Sequence, residues 1–393
     1  MRVLVASTEG AGHVGPLVPV ADAFARCGHE VLFFGPPRLA GRVGGHALRA
    51  GPESPPSAEF RARLDNASPA EAAVLVGREY WGRLCTALML PVLEDLCREW
   101  RPDLVLRETC EYPSAIAAER LGVRHAQVAI SAAAVEETSL RIAEPALEPY
   151  SAGIVERVRQ APYLTRFPPS LDPSPFPITI RFHEGEHAQP SRSATTDSED
   201  GQPPPGGRGG GAGEVYVTFG SVAGGLPIGR RVFGTAVAAV AGLPALITTG
   251  HGGPDLGPLP PRVRVAAWVP QAEALAPAAV VVCHGGSGTV FGALAAGVPL
   301  VVVPLFADNP VNAQLVADAG AGLVVAPDAD PATLRAAIDA VLGTPSYRTA
   351  AGRVAAEMRA LPGVDQLPGL LSGSHGTWPG SAGAGSAGGR RTG

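Results

Sequence analysis

The 393-residue chain contains no lysine, so every fixed positive side chain is an arginine. Beside 50 glycines and 40 prolines, that bias reads as the base composition of a GC-rich genome rather than as chemistry. Charge is scarce: only 17 % of residues are Asp, Glu, Lys or Arg, and the formal net charge is −5. Nothing in that balance points to a nucleic-acid partner. Cysteine is sparse as well. Cys27, Cys85, Cys97, Cys110 and Cys283 are odd in number and scattered, with no close Cys-x-x-Cys pair. That pattern argues against a disulfide framework and against a zinc site, and leaves free buried thiols in a reducing compartment. No apolar run approaches the roughly 20 residues that span a bilayer. The N-terminal run, 2–6, is too short for a signal peptide and leads straight into a glycine loop. The expectation is a cytoplasmic protein without a membrane span, monomeric or homodimeric, working on small molecules.

What is present is alternation. Apolar runs at 2–6, 30–34, 104–106 and 126–130 read as strands, with helical stretches at 17–27 and 114–121. Continuous β-branched runs bounded by Gly and Pro suit parallel strands buried on both faces. Between them, 57–100 is helical in pattern and carries Tyr80 and Trp81. Such an insertion could line an acceptor pocket, although core packing explains the same aromatics. The alternation resumes with strands at 215–219, 245–248, 263–267, 280–283 and 300–303. The fold class is therefore α/β, with two Rossmann-like, doubly wound parallel-sheet domains. The expected boundaries are a first domain at 1–180, a flexible linker at 181–214, a second domain at 215–362 and a low-complexity tail at 363–393.

Two loops carry the chemistry. In the second half, His284-Gly285-Gly286-Ser287-Gly288-Thr289 follows an apolar strand and opens a helix. The first turn of a helix presents unpaired N–H groups and partial positive charge, and glycines let a diphosphate approach them. His284 adds a ring N–H, or a full charge, at the rim. In the first half, Gly10-x-Gly12-x-x-Gly15 matches a dinucleotide fingerprint on spacing. That fingerprint wants an acid closing the second strand, on the ribose. Here the strand ends Phe33-Phe34-Gly35, and Glu30 lies at its wrong end. His13 remains, in a turn that opens a helix at the carboxyl edge of a strand, where a general base could sit. Glu108, where the 104–106 strand runs out, comes to the same rim and can orient the imidazole; Glu111 is the reserve.

Beyond these loops, the chain resembles the inverting nucleotide-sugar glycosyltransferases of the GT-B fold, and among them the bacterial enzymes that decorate natural-product aglycones. The resemblance runs from the first strand to about Pro362. It is carried in order by Trp268-Val269-Pro270-Gln271, His284 to Thr289, Gly297-Val298-Pro299, and Pro304-Leu305-Phe306-Ala307-Asp308-Asn309 with Asn312. It implies that Trp268 stacks on the nucleobase, with Val269 and Gln271 beside it. It implies that Ser221, His284 and the N–H groups of Gly286, Ser287, Gly288 and Thr289 hold the diphosphate, and that Asp308 and Asn309 hold the sugar. His13 becomes the catalytic base with Glu108 as its acidic partner. Gly12, Tyr80, Trp81 and Glu111 fall on the acceptor side of a cleft between the domains.

The implied reaction moves a sugar from a dTDP- or UDP-linked donor onto a hydroxyl, or a carbon, of an apolar aglycone, with inversion. No cofactor and no metal are expected, because no Asp-x-Asp motif lies near these loops. Many family members place a glutamate eight residues beyond the motif histidine, on the ribose hydroxyls; Gly292 stands there, which favours a dTDP donor. The sugar pair is Asp-Asn rather than Asp-Gln. The family's closing helix, which returns to the first domain, has no clear equivalent in the glycine-rich tail. Rival readings are a non-catalytic nucleotide-binding partner of another transferase, a nicotinamide-dependent oxidoreductase, and a sugar-nucleotide epimerase.

Overall fold

The computed structural model describes residues 1–53, 55–185, 213–225, 227–250 and 252–372, without the side chains of residues 221, 222 and 227. The chain divides into two compact units. The first comprises 1–165, 174–184 and the stretch from 362; the second comprises 166–173 and 185–361.

In the first unit, a seven-stranded sheet is built from β1 (Arg2–Ala6), β2 (Glu30–Gly35), β3 (Ala47–Ala50), β4 (Leu104–Glu108), β5 (Arg124–Val128), β6 (Tyr163–Thr165) and β7 (Thr179–Arg181). Their order is β3-β2-β1-β4-β5-β6-β7, and every pairing is parallel. All five residues of β4 are buried, as a strand covered on both faces requires. Apolar cores lie around Phe24, Phe33 and Leu106 and around Phe34, Leu93 and Ile116. The insertion is helical apart from a break at 66–68, but its middle, Leu75–Cys85, is a π-helix rather than an α-helix. Tyr80 and Trp81 sit on that widened turn.

The second unit repeats the plan with β8 (Glu214–Thr218), β9 (Ala245–Thr248), β10 (Val263–Ala266), β11 (Ala278–Cys283), β12 (Leu300–Val302) and β13 (Gly322–Val324). The order is β10-β9-β8-β11-β12-β13, again parallel. In each sheet the strand order reverses beside the first strand, between β1 and β4 and between β8 and β11. Open α/β sheets bind ligands at the carboxyl ends of strands at such a switch point.

Three expectations are corrected. Residues 166–173 belong to the second unit, not to the first domain. The chain remains ordered into the expected linker, with β7 running to Arg181; residues 186–212 lie outside the described residues. Most consequential is the segment after 362, expected as tail. It forms a 3-10 turn, Val364–Gln366, and a helix, Leu367–Ser372, that pack in the first unit. His183 N donates to Pro362 O at 2.9 Å and Val364 N to His183 O at 2.8 Å, so the return is stitched through backbone. Val364, Leu367 and Leu371 are buried in the core that holds Phe24. The returning helix was hidden by its brevity: three apolar residues carry it, and the Gly- and Ser-rich composition beyond masks them. The rest of the tail, 373–393, is outside the described residues. Among the described residues, no helix is long and apolar enough to cross a membrane.

Candidate active site

The first unit assembles its polar groups where β1 and β4 end side by side. Ala6 pairs with Arg107 in register, so the chain leaving β1 passes beside Glu108, where Thr8 meets its carboxylate. His13 follows in a single helical turn, Ala11–Val14. Its Nδ1 lies 3.2 Å from Glu108 Oε1 and 2.9 Å from Thr8 Oγ1. The Thr8 hydroxyl donates to Glu108 Oε1 at 2.6 Å. With that single proton committed, His13 Nδ1 must be the donor in its contact with Thr8, and in the neutral ring Nε2 then keeps its lone pair. A carboxylate on one ring nitrogen and a lone pair on the other is the arrangement of a general base.

Glu108 is fully buried, and its ionisation is upheld by neighbours. Burial alone would raise its pKa, but the charge of His13 and hydrogen bonds from His13, Thr8 and the Cys110 N–H hold it below the usual carboxylate value. The Cys110 N–H lies 2.6 Å from Oε2, and the Thr8 N–H 3.1 Å from Oε1. Arg107, with no exposed surface, gathers the loop behind it. Its Nη1 donates to the carbonyls of Glu108, Thr109 and Glu111 at 3.0, 3.1 and 3.2 Å, and its Nη2 to Gln127 Oε1 at 3.0 Å.

Trp81 stands edge-on to His13, with ring centroids 5.4 Å apart. Tyr80 packs instead on Phe60 at 5.7 Å, and Gly12 is exposed in the turn beside His13. Glu111 does not reach the dyad. It is buried and accepts the Ser114 N–H at 3.3 Å and the Ser114 hydroxyl, in the first turn of the helix Pro113–Leu121; burial pushes its pKa up to about 7. Its place after the strand end suggested a rim carboxylate, but the chain turns inward there. Thr8, Arg107 and Cys110 are the members of this cluster that sequence reasoning did not single out. A hydroxyl two residues past a strand end is the one signal that could have found Thr8.

The second unit builds its loop at the ends of β8 and β11. His284 is pinched between two glycines: a Cβ on Gly220 would lie 2.8 Å from its Cε1, and one on Gly286 2.5 Å from its Nε2. Burial lowers its pKa to about 4, against Asp308 and a backbone hydrogen bond with Thr218, so the ring is neutral at pH 7. Of the two roles left open for it, an N–H donor fits and a fixed charge does not. The helix Ser287–Ala295 begins next, with Gly286 as its extended N-cap. Thr289 N already donates to Gly286 O at 3.0 Å, so Ser287 and Gly288 open the helix. Ser221 lies in the short helix Gly220–Ala223, and its side chain is outside the described residues.

Asp308 is held by donors: Ser287 Oγ at 2.8 Å and Asn312 Nδ2 at 2.9 Å on Oδ2, and Asn309 Nδ2 at 3.2 Å on Oδ1. Asn309 itself is 2 % exposed, and its side-chain Oδ1 accepts the N–H groups of Phe306 at 3.2 Å and Leu305 at 3.4 Å. The expected sugar contact from Asn309 is therefore replaced by a loop-shaping role, whereas Asp308 stays partly exposed. Trp268 is 59 % exposed, an aromatic face without the cover such a ring usually finds. Val269 packs partly against the core, and Gln271 Nε2 reaches Gly288 O at 3.3 Å.

Two doubly wound parallel units with these loops at their switch points make the architecture of a GT-B glycosyltransferase. Residues 234–368 match the family described as erythromycin biosynthesis protein CIII-like, C-terminal domain. The elloramycin glycosyltransferase ElmGT of Streptomyces olivaceus is 32 % identical over 92 % of this chain and 94 % of its own. The L-demethylnoviosyl transferase of Streptomyces niveus is 30 % identical over 92 % and 95 %. The spinosyn rhamnosyltransferase SpnG in complex with thymidine diphosphate shares the fold at a TM-score of 0.74, with 25 % identity over 95 % of this chain and 100 % of that one. The chain belongs to the bacterial natural-product glycosyltransferases and is an enzyme of that kind.

Proposed function

We propose that the enzyme transfers a sugar from a dTDP-linked donor to a hydroxyl of an apolar natural-product aglycone, with inversion, and that His13 is the general base. One observation carries this: the Thr8–Glu108 pair commits the proton of His13 to Nδ1 and leaves Nε2 to accept another. As the acceptor oxygen attacks the anomeric carbon, its proton passes to Nε2, and Glu108 balances the imidazolium. The bond from that carbon to the diphosphate breaks on the opposite face. The helix opening at Ser287 and the His284 ring meet the growing negative charge as fixed dipoles, the kind of preorganised stabilisation that a site supplies without a metal ion.

Donor choice rests on Gly292. A Cβ there would lie 2.5 Å from Gln271 Oε1, so the Gln271 amide fills the space in which the family's glutamate would begin. A donor lacking the 2′-hydroxyl loses least from that change. The neighbour SpnG is known in complex with thymidine diphosphate and with the spinosyn aglycone, and the apolar Trp81 beside His13 suits an acceptor of similar character.

Calorimetry with dTDP, UDP and NAD tests the donor: dTDP binds more tightly than UDP, and NAD does not bind. Binding of NAD alone would sink the proposal. In the same assay His13→Ala retains dTDP affinity while transfer falls by roughly 10²–10⁴-fold; a fully active variant would remove the base.

A further inference from the structure

The cysteine spacing argues against a zinc site, yet folding brings one thiol to the catalytic pair. One ligand atom each from His13, Glu108 and Cys110 lies within 4.8 Å of the others. We propose that these three residues bind a single borderline-soft divalent cation of the zinc type, and that its binding switches the transferase off.

The donor set selects the ion. Nitrogen, oxygen and sulfur together suit zinc or cobalt(II), whereas magnesium and calcium prefer oxygen alone. The 3.2 Å between His13 Nδ1 and Glu108 Oε1 fits one edge of a tetrahedron with ligand bonds of about 2.0–2.2 Å. The sulfur must close toward that edge for a bond of about 2.3 Å. Rotation about the Cys110 Cα–Cβ bond can move it while its N–H stays on Glu108 Oε2. The Thr8 hydroxyl, already beside both His13 and Glu108, or a water can complete the shell. The His13 side chain is 20 % exposed and gives the ion a way in.

Inhibition follows from proton bookkeeping. In the free enzyme His13 carries its proton on Nδ1, and Cys110 is a buried free thiol. The cation takes the Nδ1 lone pair, so the imidazole proton moves to Nε2. The thiol proton leaves to solvent as the sulfur becomes a thiolate. The nitrogen that would take the acceptor's proton is then already protonated, and transfer stops. This inhibitory half rests on His13 being the base.

The test is a cobalt(II) titration of the full chain after treatment with chelator. One equivalent produces a near-ultraviolet thiolate-to-cobalt band, and zinc displaces it. His13→Ala weakens binding by at least the roughly 10–100-fold that loss of an outer-shell partner alone can cost. Cys110→Ala abolishes the band and makes transfer resistant to zinc, each rate being read against the same variant without metal. A band that survives in Cys110→Ala arises from the exposed Cys27 and overturns the site. A band that depends on Cys110 with transfer unimpaired by zinc would overturn the switch through its base, not its ligands. Loss of transfer in His13→Ala without any cobalt binding to the wild type would leave the base standing and remove the metal site.

Discussion

The histidines of the two loops, His13 in the first unit and His284 in the second, have opposite electrostatic surroundings, and these decide what each can do. His13 faces a buried carboxylate that three kinds of donor keep ionised, so a proton arriving on its ring is stabilised in place. At His284 burial outweighs Asp308 and the backbone hydrogen bond with Thr218, and its pKa falls to about 4. Under the proposed function, its contribution to a diphosphate is a neutral N–H dipole. The sign of the pH dependence follows. An unfolded histidine titrates near 6.5, so the unfolded chain binds more protons at this site between about pH 6.5 and 4. The stability that His284 contributes is complete above 6.5 and is lost as pH falls toward 4. Binding behaves differently from a cationic site: dTDP affinity stays flat in a calorimetric series from pH 8 to 6.5. A steep rise in affinity over that interval, removed by His284→Ala, would show a charged ring and contradict the assignment. At this scale the sequence was legible for position: strand order alone put His13 and Glu108 on one rim, and the structure brings them within 3.2 Å. It misled for Glu111 and Asn309, because whether a polar side chain faces the rim or its own loop is decided by the turn, which pattern does not encode.

Among the elements, the switch points do most to explain the site. Alternating apolar runs and glycine loops reveal which strands end in functional loops, but only the strand order makes β1 and β4 neighbours, and β8 and β11. That is why Thr8, Arg107 and Cys110 escaped a reading along the chain: their partners are about a hundred residues away or lie across a turn. Strands β3, β6, β7 and β13 also escaped, being three or four residues long and bracketed by polar or proline-rich sequence. The helix Ser287–Ala295 links element to the proposed donor preference. Gly292 is in its second turn, and the far end of the Gln271 side chain lies where a Cβ would go. Because that obstacle is the tip of a flexible side chain, Gly292→Glu is accommodated by a shift of Gln271. The new carboxylate can then accept from ribose hydroxyls, and the preference for dTDP over UDP narrows by roughly tenfold, the equivalent of about 1.4 kcal/mol. Measured affinities for both nucleotides check this; an unchanged ratio would separate Gly292 from donor choice.

Across the whole molecule, sequence order and folded order part company at the carboxyl end. The chain leaves the first unit, builds the second, and comes back to contribute Val364, Leu367 and Leu371 to the core it left. Leu367 and Leu371 have no exposed surface, and the backbone bridge at His183 and Gly363 fixes where the return begins. The Arg26–Asp365 ion pair is exposed at both ends and adds little, so the apolar contacts carry the attachment. Replacing a buried leucine by alanine costs about 2–5 kcal/mol through lost burial and the cavity left behind. The double variant Leu367→Ala/Leu371→Ala therefore destabilises the first unit on the scale of a domain's whole stability, roughly 5–15 kcal/mol. The expected result is a melting transition lowered by about 10 °C or more, seen in the unit that carries His13. Affinity for dTDP, which the proposed function assigns to the second unit, serves as the internal reference, since the cores of that unit contain none of these residues. A variant that melts with the wild type would mean that the returning segment is an accessory to the first unit, and that the core closes without it.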